Sequence, residues 1–257
     1  METRRDGALP RLPLALLDRY LRTYHRHEVR GETSLPASPA LIVSNHGFGG
    51  IVDLNVMALA RALHGMSDGR GVTFLVHQIA WTLGVGRFIE PLGCVPGSAE
   101  AVDAAFAAAR HVAVFPGGDV EAAKATSERN RIKFAGRTGY ARTAIEHGVP
   151  VVPVVTAGAG ESLLVLSDGQ RIARALRLPE LLRIKALPVS VSLPWGVNVG
   201  AVGMVPYLPL PTKLVTVVLP AMHSVDGESA GAFAARIESA MQDTLTELTA
   251  GRRPVLG

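Results

Sequence analysis

Short β-branched runs alternate with helix-like stretches through the middle of the chain, and this alternation constrains the fold more than any other feature. Leu41 to Ser44, Val72 to Val76, Val112 to Phe115 and Val151 to Thr156 are apolar runs with the length of strands buried on both faces. Helical stretches lie between them. Ile51 to Leu63 is one. Ser98 is placed to cap an alanine-rich helix to about Arg110, with Glu100 and Asp103 near its positive end. Gly139 to His147 is another, stopped by Gly148 and then Pro150. At the end, Phe233, Ile237, Met241, Leu245 and Leu248 recur every three to four residues, an amphipathic closing helix with Asp226 as its expected cap. Strands that alternate with helices predict an α/β fold, a mostly parallel central sheet flanked by helices. No linker or internal repeat divides the 257 residues, so a single domain is expected over 36–257, preceded by an N-terminal segment, 1–35.

The surface chemistry narrows the class of partner. Apolar residues make up 48% and charged residues 19%, with a net charge of +4. A mean hydropathy of +0.26 and a pI near 9.6 describe a greasy, basic chain, which suits an anionic partner that is also apolar. No basic stripe interleaved with aromatics is present, and no zinc or helix-turn-helix pattern, which argues against nucleic acid. Cys94 is the sole cysteine, so no intramolecular disulfide forms; it is expected as a buried structural thiol in a reducing compartment. The start shows no signal-peptide pattern. Leu12, Leu16, Tyr20 and Tyr24 lie among arginines, a pattern shared by a membrane-surface helix and an ordinary surface helix. Ala186 to Thr212 carries no charge, but its prolines and glycines oppose a spanning helix. It reads either as buried strands and loops or as an apolar surface for a membrane or acyl chain.

Three constellations carry chemistry. In Ser44 to Asp53 a strand ends at Asn45-His46, passes Gly47, Gly49 and Gly50, and meets Asp53. Ligands gather at the carboxyl ends of parallel strands. Histidine there is suited to take a proton from a hydroxyl, and a carboxylate on its other nitrogen fixes the tautomer. The bland alternative is a turn histidine beside an N-cap aspartate. In Val114 to Lys124 a strand runs into Pro116-Gly117-Gly118, whose N–H groups suit an anion or carbonyl oxygen, although a plain strand-ending turn has the same composition. Arg137 and Arg142 then flank a helix start, as a phosphate site or as a solvated face.

Together these motifs make the chain resemble the lysophospholipid and glycerolipid acyltransferase superfamily. The order Asn45-His46…Asp53, Phe115-Pro116-Gly117-Gly118, Val152-Pro153 is that of the superfamily. The run Arg137, Gly139, Tyr140, Arg142, Ala144, Gly148, Val152, Pro153 is similar to the signature of its neutral-lipid branch, which includes type 2 diacylglycerol acyltransferases, with one aromatic exchanged. The likeness spans about residues 15 to 223. Two departures stand out. Asp53 lies seven positions after His46 where the commoner spacing is shorter, and Gly118 stands where phosphate-acceptor members carry Glu.

The resemblance implies a glycerolipid acyltransferase-like fold and an O-acyltransferase moving a fatty acyl group from acyl-CoA or acyl carrier protein to a glycerolipid or other neutral-lipid hydroxyl. His46 is the implied base and Asp53 its orienting carboxylate. Asn45, Gly47, Phe115, Pro116, Gly117, Gly118 and Glu121 are implied to line the substrate site. Lys124, Lys133, Arg137 and Arg142 are candidates for donor or headgroup phosphates. No metal and no cofactor beyond the thioester co-substrate is called for. The expected partners are donor, lipid acceptor and membrane surface, with a peripheral position on the cytoplasmic, inner face of the cell membrane. Phosphatidate synthesis from lysophosphatidate and a non-catalytic lipid-binding role remain the alternatives.

Overall fold

The computed structural model describes residues 11–48, 53–66, 69–82, 84, 86–178, 180, 187–200 and 207–257. In chain order the elements are α1 (Arg11–Thr23), β1 (Glu28–Gly31), β2 (Leu41–Ser44), α2 (Leu54–Gly65), β3 (Val72–Val76), α3 (Ile79–Thr82), α4 (Gly86–Ile89), β4 (Cys94–Pro96) and α5 (Ala99–Ala107). They continue with β5 (His111–Val114), α6 (Gly118–Ala122), α7 (Gly139–Glu146), β6 (Val151–Ala157), β7 (Leu164–Ser167), α8 (Gln170–Ala175), β8 (Val189–Ser192), β9 (Gly196–Val199), β10 (Val215–Val218) and a last helix, α9 (Ala230–Thr249).

Seven strands form the central sheet in the order β1-β10-β6-β2-β5-β3-β4. The five from β6 to β4 run parallel, and β10 pairs antiparallel with β6. The mostly parallel α/β sheet expected from the alternation is therefore present. Its centre is buried on both faces: all of β2 and β6 is buried, which is why those strands are continuous apolar runs. One face packs α7 and α9 through Tyr140, Ala144, Phe233, Ile237, Met241 and Leu245. Each such buried side chain of α9 contributes about 2 kcal/mol of transfer free energy. The opposite face packs α2 through Leu59 and Leu63 onto Ile42, Ala113 and Val154.

Boundaries differ from expectation in instructive ways. α9 is capped by Ser229, whose hydroxyl accepts from Ala232 N at 3.2 Å, and not by Asp226. The serine lies one residue before the helix, in extended geometry, where its side chain can reach back to the free N–H groups. α5 ends at Ala107, short of Arg110, because the chain must turn into β5. α2 starts after Asp53; Ile51 lies outside the described residues. Within the expected N-terminal segment, β1 is the sheet's edge strand, paired with β10. In α1, Leu17, Tyr20 and Leu21 pack on Leu54, Ala58 and Leu214, while Leu16 is exposed. A second, three-stranded antiparallel sheet, β7-β8-β9, is built from 164–199, including part of the uncharged stretch.

Candidate active site

β2, β5 and β6 are parallel neighbours, so their carboxyl ends open onto one edge of the sheet. The His46–Asp53 and Pro116–Gly118 motifs sit there, and Arg137 of the third reaches the same turn. At the end of β2, His46 Nδ1 lies 2.9 Å from Asp53 Oδ2, with 14% and 12% of the two side chains exposed. The carboxylate only accepts, so Nδ1 carries the hydrogen, and in the neutral ring the lone pair is then on Nε2. Asp53 has a second task. Its Oδ1 accepts from Asn55 N at 3.0 Å and Val56 N at 3.2 Å, capping α2. The two readings of this aspartate, cap and histidine partner, both hold, one on each oxygen.

The end of β5 builds the wall beside the imidazole. Phe115 stacks on His46 with ring centroids 4.6 Å apart and planes inclined by 30°. Gly117 and Gly118 then turn into α6. A Cβ on Gly117 would strike the Glu121 carboxylate, and Gly118 has φ +49 beside the Arg137 guanidinium. Glycine is needed at both for these reasons. Glu121 is fully buried; its Oε2 accepts from His46 N at 3.1 Å and its Oε1 from Lys133 N at 3.2 Å. Lys124, also buried, donates to His46 O at 2.8 Å, Arg131 O at 2.9 Å and Glu121 Oε1 at 3.3 Å. The pair grips both sides of the His46 peptide. Expected to meet substrate, Glu121 and Lys124 instead spend their polar atoms within the fold: three donations use all of the ammonium's hydrogens.

The end of β6 closes the third side. Asn45, 2% exposed, exchanges two hydrogen bonds with the Thr156 backbone, at 2.9 and 3.1 Å, so it ties β2 to β6. Gly47 passes so close to the turn after β6 that a Cβ would come within 2.7 Å of Ala159 Cβ and 2.6 Å of Asn55 Oδ1. Phe48 packs with Leu163, Val165 and Tyr207, meeting the Tyr207 ring edge-on at 6.0 Å. Burial, helped by the nearby Asp53 charge, pushes the Tyr207 phenol up. Gly49 and Gly50 lie outside the described residues.

The basic residues divide. Arg137 donates to Pro116 O at 2.9 Å, to Gly117 O and to Asp119 Oδ1 at 2.9 Å, clamping the turn while remaining one-third exposed. Lys133 pairs with Glu128 at 2.6 Å. Arg142 is exposed on α7, whose signature residues Tyr140 and Ala144 are core; Tyr140 donates to Ala234 O on α9 at 3.2 Å. Asn55, Thr156, Ala159 and Tyr207 were not anticipated, and only the long-range pairing of strand ends reveals them. Among the described residues no cluster of His, Cys, Asp and Glu has the grouping of a metal site. A groove of about 760 Å³ lies between α1, β1 and the end of α2, and neither His46 nor Asp53 lines it.

Comparison with known proteins agrees with this geometry. Residues 26–157 match the Acyltransferase family model. A chicken (Gallus gallus) protein described as a DGAT1/2-independent enzyme synthesizing storage lipids is 31% identical over 68% of this chain and 50% of its own length. An uncharacterized Mycobacterium leprae protein is 26% identical over 92% of this chain and 64% of its own. The chain thus spans from half to about two-thirds of the length of these relatives. Among solved structures, the 1-acyl-sn-glycerophosphate acyltransferase of Thermotoga maritima shares the fold, with a TM-score of 0.53 at 16% identity over 92% of this chain and 80% of that one. On the family match, with its motifs gathered at one sheet edge, this chain belongs to the acyltransferase family, in the glycerolipid acyltransferase superfamily.

Proposed function

We propose that the chain transfers a fatty acyl group from a thioester, acyl-CoA or acyl carrier protein, to the hydroxyl of a neutral lipid, with His46 as general base. The observation that carries this reading is the 2.9 Å contact of His46 Nδ1 with Asp53, which in the neutral ring puts the lone pair on Nε2. Nε2 takes the hydroxyl proton as the oxygen attacks the thioester carbon. The tetrahedral intermediate then collapses, the carbon–sulfur bond breaks, and the imidazolium returns the proton to the leaving thiolate. Asp53 steadies the imidazolium between these steps. His46 N–H and Gly118 N–H are already donated, to Glu121 and Phe115 O, so Gly47 and Gly117 N–H are the candidates for the oxyanion.

Two observations favour a neutral acceptor over a phosphate-bearing one. Lys124 and Arg137, the cations at the turn, are committed to Glu121 and Asp119, and Gly118 removes the usual acidic side chain. The storage-lipid activity named for the chicken relative points the same way. A lipid acceptor puts the reaction at a membrane surface, and a thioester donor puts it on the cytoplasmic face; no described helix is long and apolar enough to cross a membrane.

The test is acyl transfer by purified protein with labelled palmitoyl-CoA or palmitoyl carrier protein. Acceptors are mono- and diacylglycerol, a long-chain alcohol and lysophosphatidate, with His46→Ala alongside. A labelled neutral lipid that His46→Ala no longer makes is expected. Labelled phosphatidate alone would overturn the acceptor. Turnover unchanged in His46→Ala would overturn the base, and no transfer from either donor would leave a lipid-binding protein.

A further inference from the structure

The small sheet is inside out. In register, Leu164, Val191 and Val197 form one row across its three strands, and Val189 and Val199 continue that face. Strand side chains alternate between faces, so Val165, Ser190 and Ser192 occupy the other. The face turned to the protein holds those two serines, 0% and 4% exposed, while the outward face holds the valines and leucines. Leu164 is 45% exposed, Val199 51% and Val197 69%. The patch continues past the sheet through Leu193, its bridge partner Leu208 and Trp195 at the hairpin tip, each more than half exposed. A half-buried antiparallel sheet normally shows the reverse pattern, polar out and apolar in. Contiguous exposed apolar surface of this kind marks an interaction site.

We infer that the outward face of β7-β8-β9, with Trp195 at its tip, docks on an anionic phospholipid bilayer. Charge supports lipid over other occupants. Five basic and two acidic residues lie between 164 and 200, and Arg171, Arg174 and Arg177 are exposed in and just after α8, the connection inside this sheet. A bilayer offers phosphates to the arginines and hydrocarbon to the valines in the same plane. A second copy of the chain would instead bring arginines against arginines. A tryptophan at the rim has one apolar and one polar edge, which suits the headgroup boundary. The inward face explains why such docking serves the site: Val165 packs with Phe48 and Tyr207, two residues from His46 and beside Asp53. Docking there brings lipid to the sheet edge that carries His46 rather than to a remote surface. The inference deepens the lipid-acylation reading, but it stands on the surface and its test does not use catalysis.

The full chain with Trp81→Phe leaves Trp195 as the sole tryptophan. It is titrated with vesicles of phosphatidylcholine containing 30% phosphatidylglycerol (about a third anionic, as in a strongly charged leaflet). A blue shift of Trp195 emission, co-sedimentation, and binding at least tenfold weaker in Val197→Glu/Val199→Glu are expected, with weakening by salt. The paired variant is checked by thermal melting. Arg174→Glu/Arg177→Glu, at exposed positions in and just after α8, gives a second probe that lowers the dependence on phosphatidylglycerol. Unshifted Trp195 emission, equal binding by the variants, or a concentration-dependent dimer that buries Trp195 without lipid would each overturn the proposal. Turnover of a soluble short-chain thioester, unchanged in the variants, separates lost docking from a wrong reading of His46.

Discussion

Asp53 serves two masters with two oxygens, and substitution by asparagine separates them. Oδ1 receives the N–H groups of Asn55 and Val56 at the start of α2. Asparagine caps helices about as well as aspartate, so Asp53→Asn keeps this function and loses only the favourable charge at the helix end, about 0.3–1 kcal/mol. Oδ2 receives the His46 Nδ1 hydrogen at 2.9 Å. In asparagine that position becomes an NH2 that donates, so the ring is driven to the tautomer with its hydrogen on Nε2, the atom proposed to accept the substrate proton. Where such pairs have been dissected, losing the tautomer lowers kcat by about 10⁴-fold. Asp53→Ala removes both functions and adds the loss of a cap, about 1 kcal/mol and a few degrees in Tm. The expected pattern is Asp53→Asn close to wild type in thermal and urea unfolding but at least a thousandfold slower in acyl transfer, with Asp53→Ala equally slow and less stable. Asp53→Asn retaining more than a third of kcat, or melting as low as Asp53→Ala, would refute the division of labour.

Three further outcomes follow from the same geometry. Glu121→Gln and Lys124→Met each strand a buried charge, costing about 3–5 kcal/mol, whereas the double variant recovers much of that loss; urea unfolding of all four proteins gives the coupling, and additive losses would refute it. Gly47→Ala forces a methyl against Ala159 and Asn55, so a loss of about 1–3 kcal/mol and at least tenfold in kcat is expected from melting and turnover, and a wild-type result would mean the turn yields freely. His27 is buried beside Arg61, and burial first, then the charges of Arg61 and His25, hold its pKa down at about 4 against the opposing pull of Asp18 and Glu28. A depressed histidine favours folding above its unfolded pKa of about 6.5, so up to about 3 kcal/mol is lost as pH falls from 6.5 to 4; urea unfolding across that window in the wild type and in His27→Gln, which lacks the titration, measures the difference.

The sheet and its parallel order were legible because buried strands leave short apolar runs, and β2, β3, β5 and β6 fall within a residue of where those runs lie. Caps were harder. Ser98 announces α5 because Glu100 and a run of alanines follow it, and its hydroxyl does accept from Ala101 N. Asp226 and Ser229 both precede the closing helix, and only the extended geometry of Ser229 decides between them. The roles of site residues were harder still. Glu121 and Lys124 look like substrate ligands in a motif and become internal partners once β2 and β5 are adjacent, because the nearest donors and acceptors are then the backbone of His46. Sequence distance hides this, since the two are 75 and 78 positions away from the histidine they hold. The small sheet defeats pattern reading for another reason: alternation in Val189 to Ser192 marks two faces without saying which one meets the protein.

The longer spacing between His46 and Asp53 now has a physical account. The carboxylate is not placed by counting from the histidine. It is placed by α2, whose Leu54, Ala58, Leu59 and Leu63 are buried and fix where the helix begins. The histidine is placed independently, by β2 and by the Glu121–Lys124 grip on its peptide. With both ends anchored, the number of residues that joins them affects only loop closure, and that cost grows slowly with length. A family motif written as histidine, a fixed gap and aspartate is therefore one solution to a geometric requirement: a strand end and a helix N-cap within hydrogen-bond reach. Here Gly47 lets the chain leave the strand against Ala159, and the helix start delivers Oδ2 to Nδ1 all the same. The pair is sensitive to anything that shifts the first turn of α2 and tolerant of what lies between, so variation in the gap says little about whether the histidine–aspartate contact is intact.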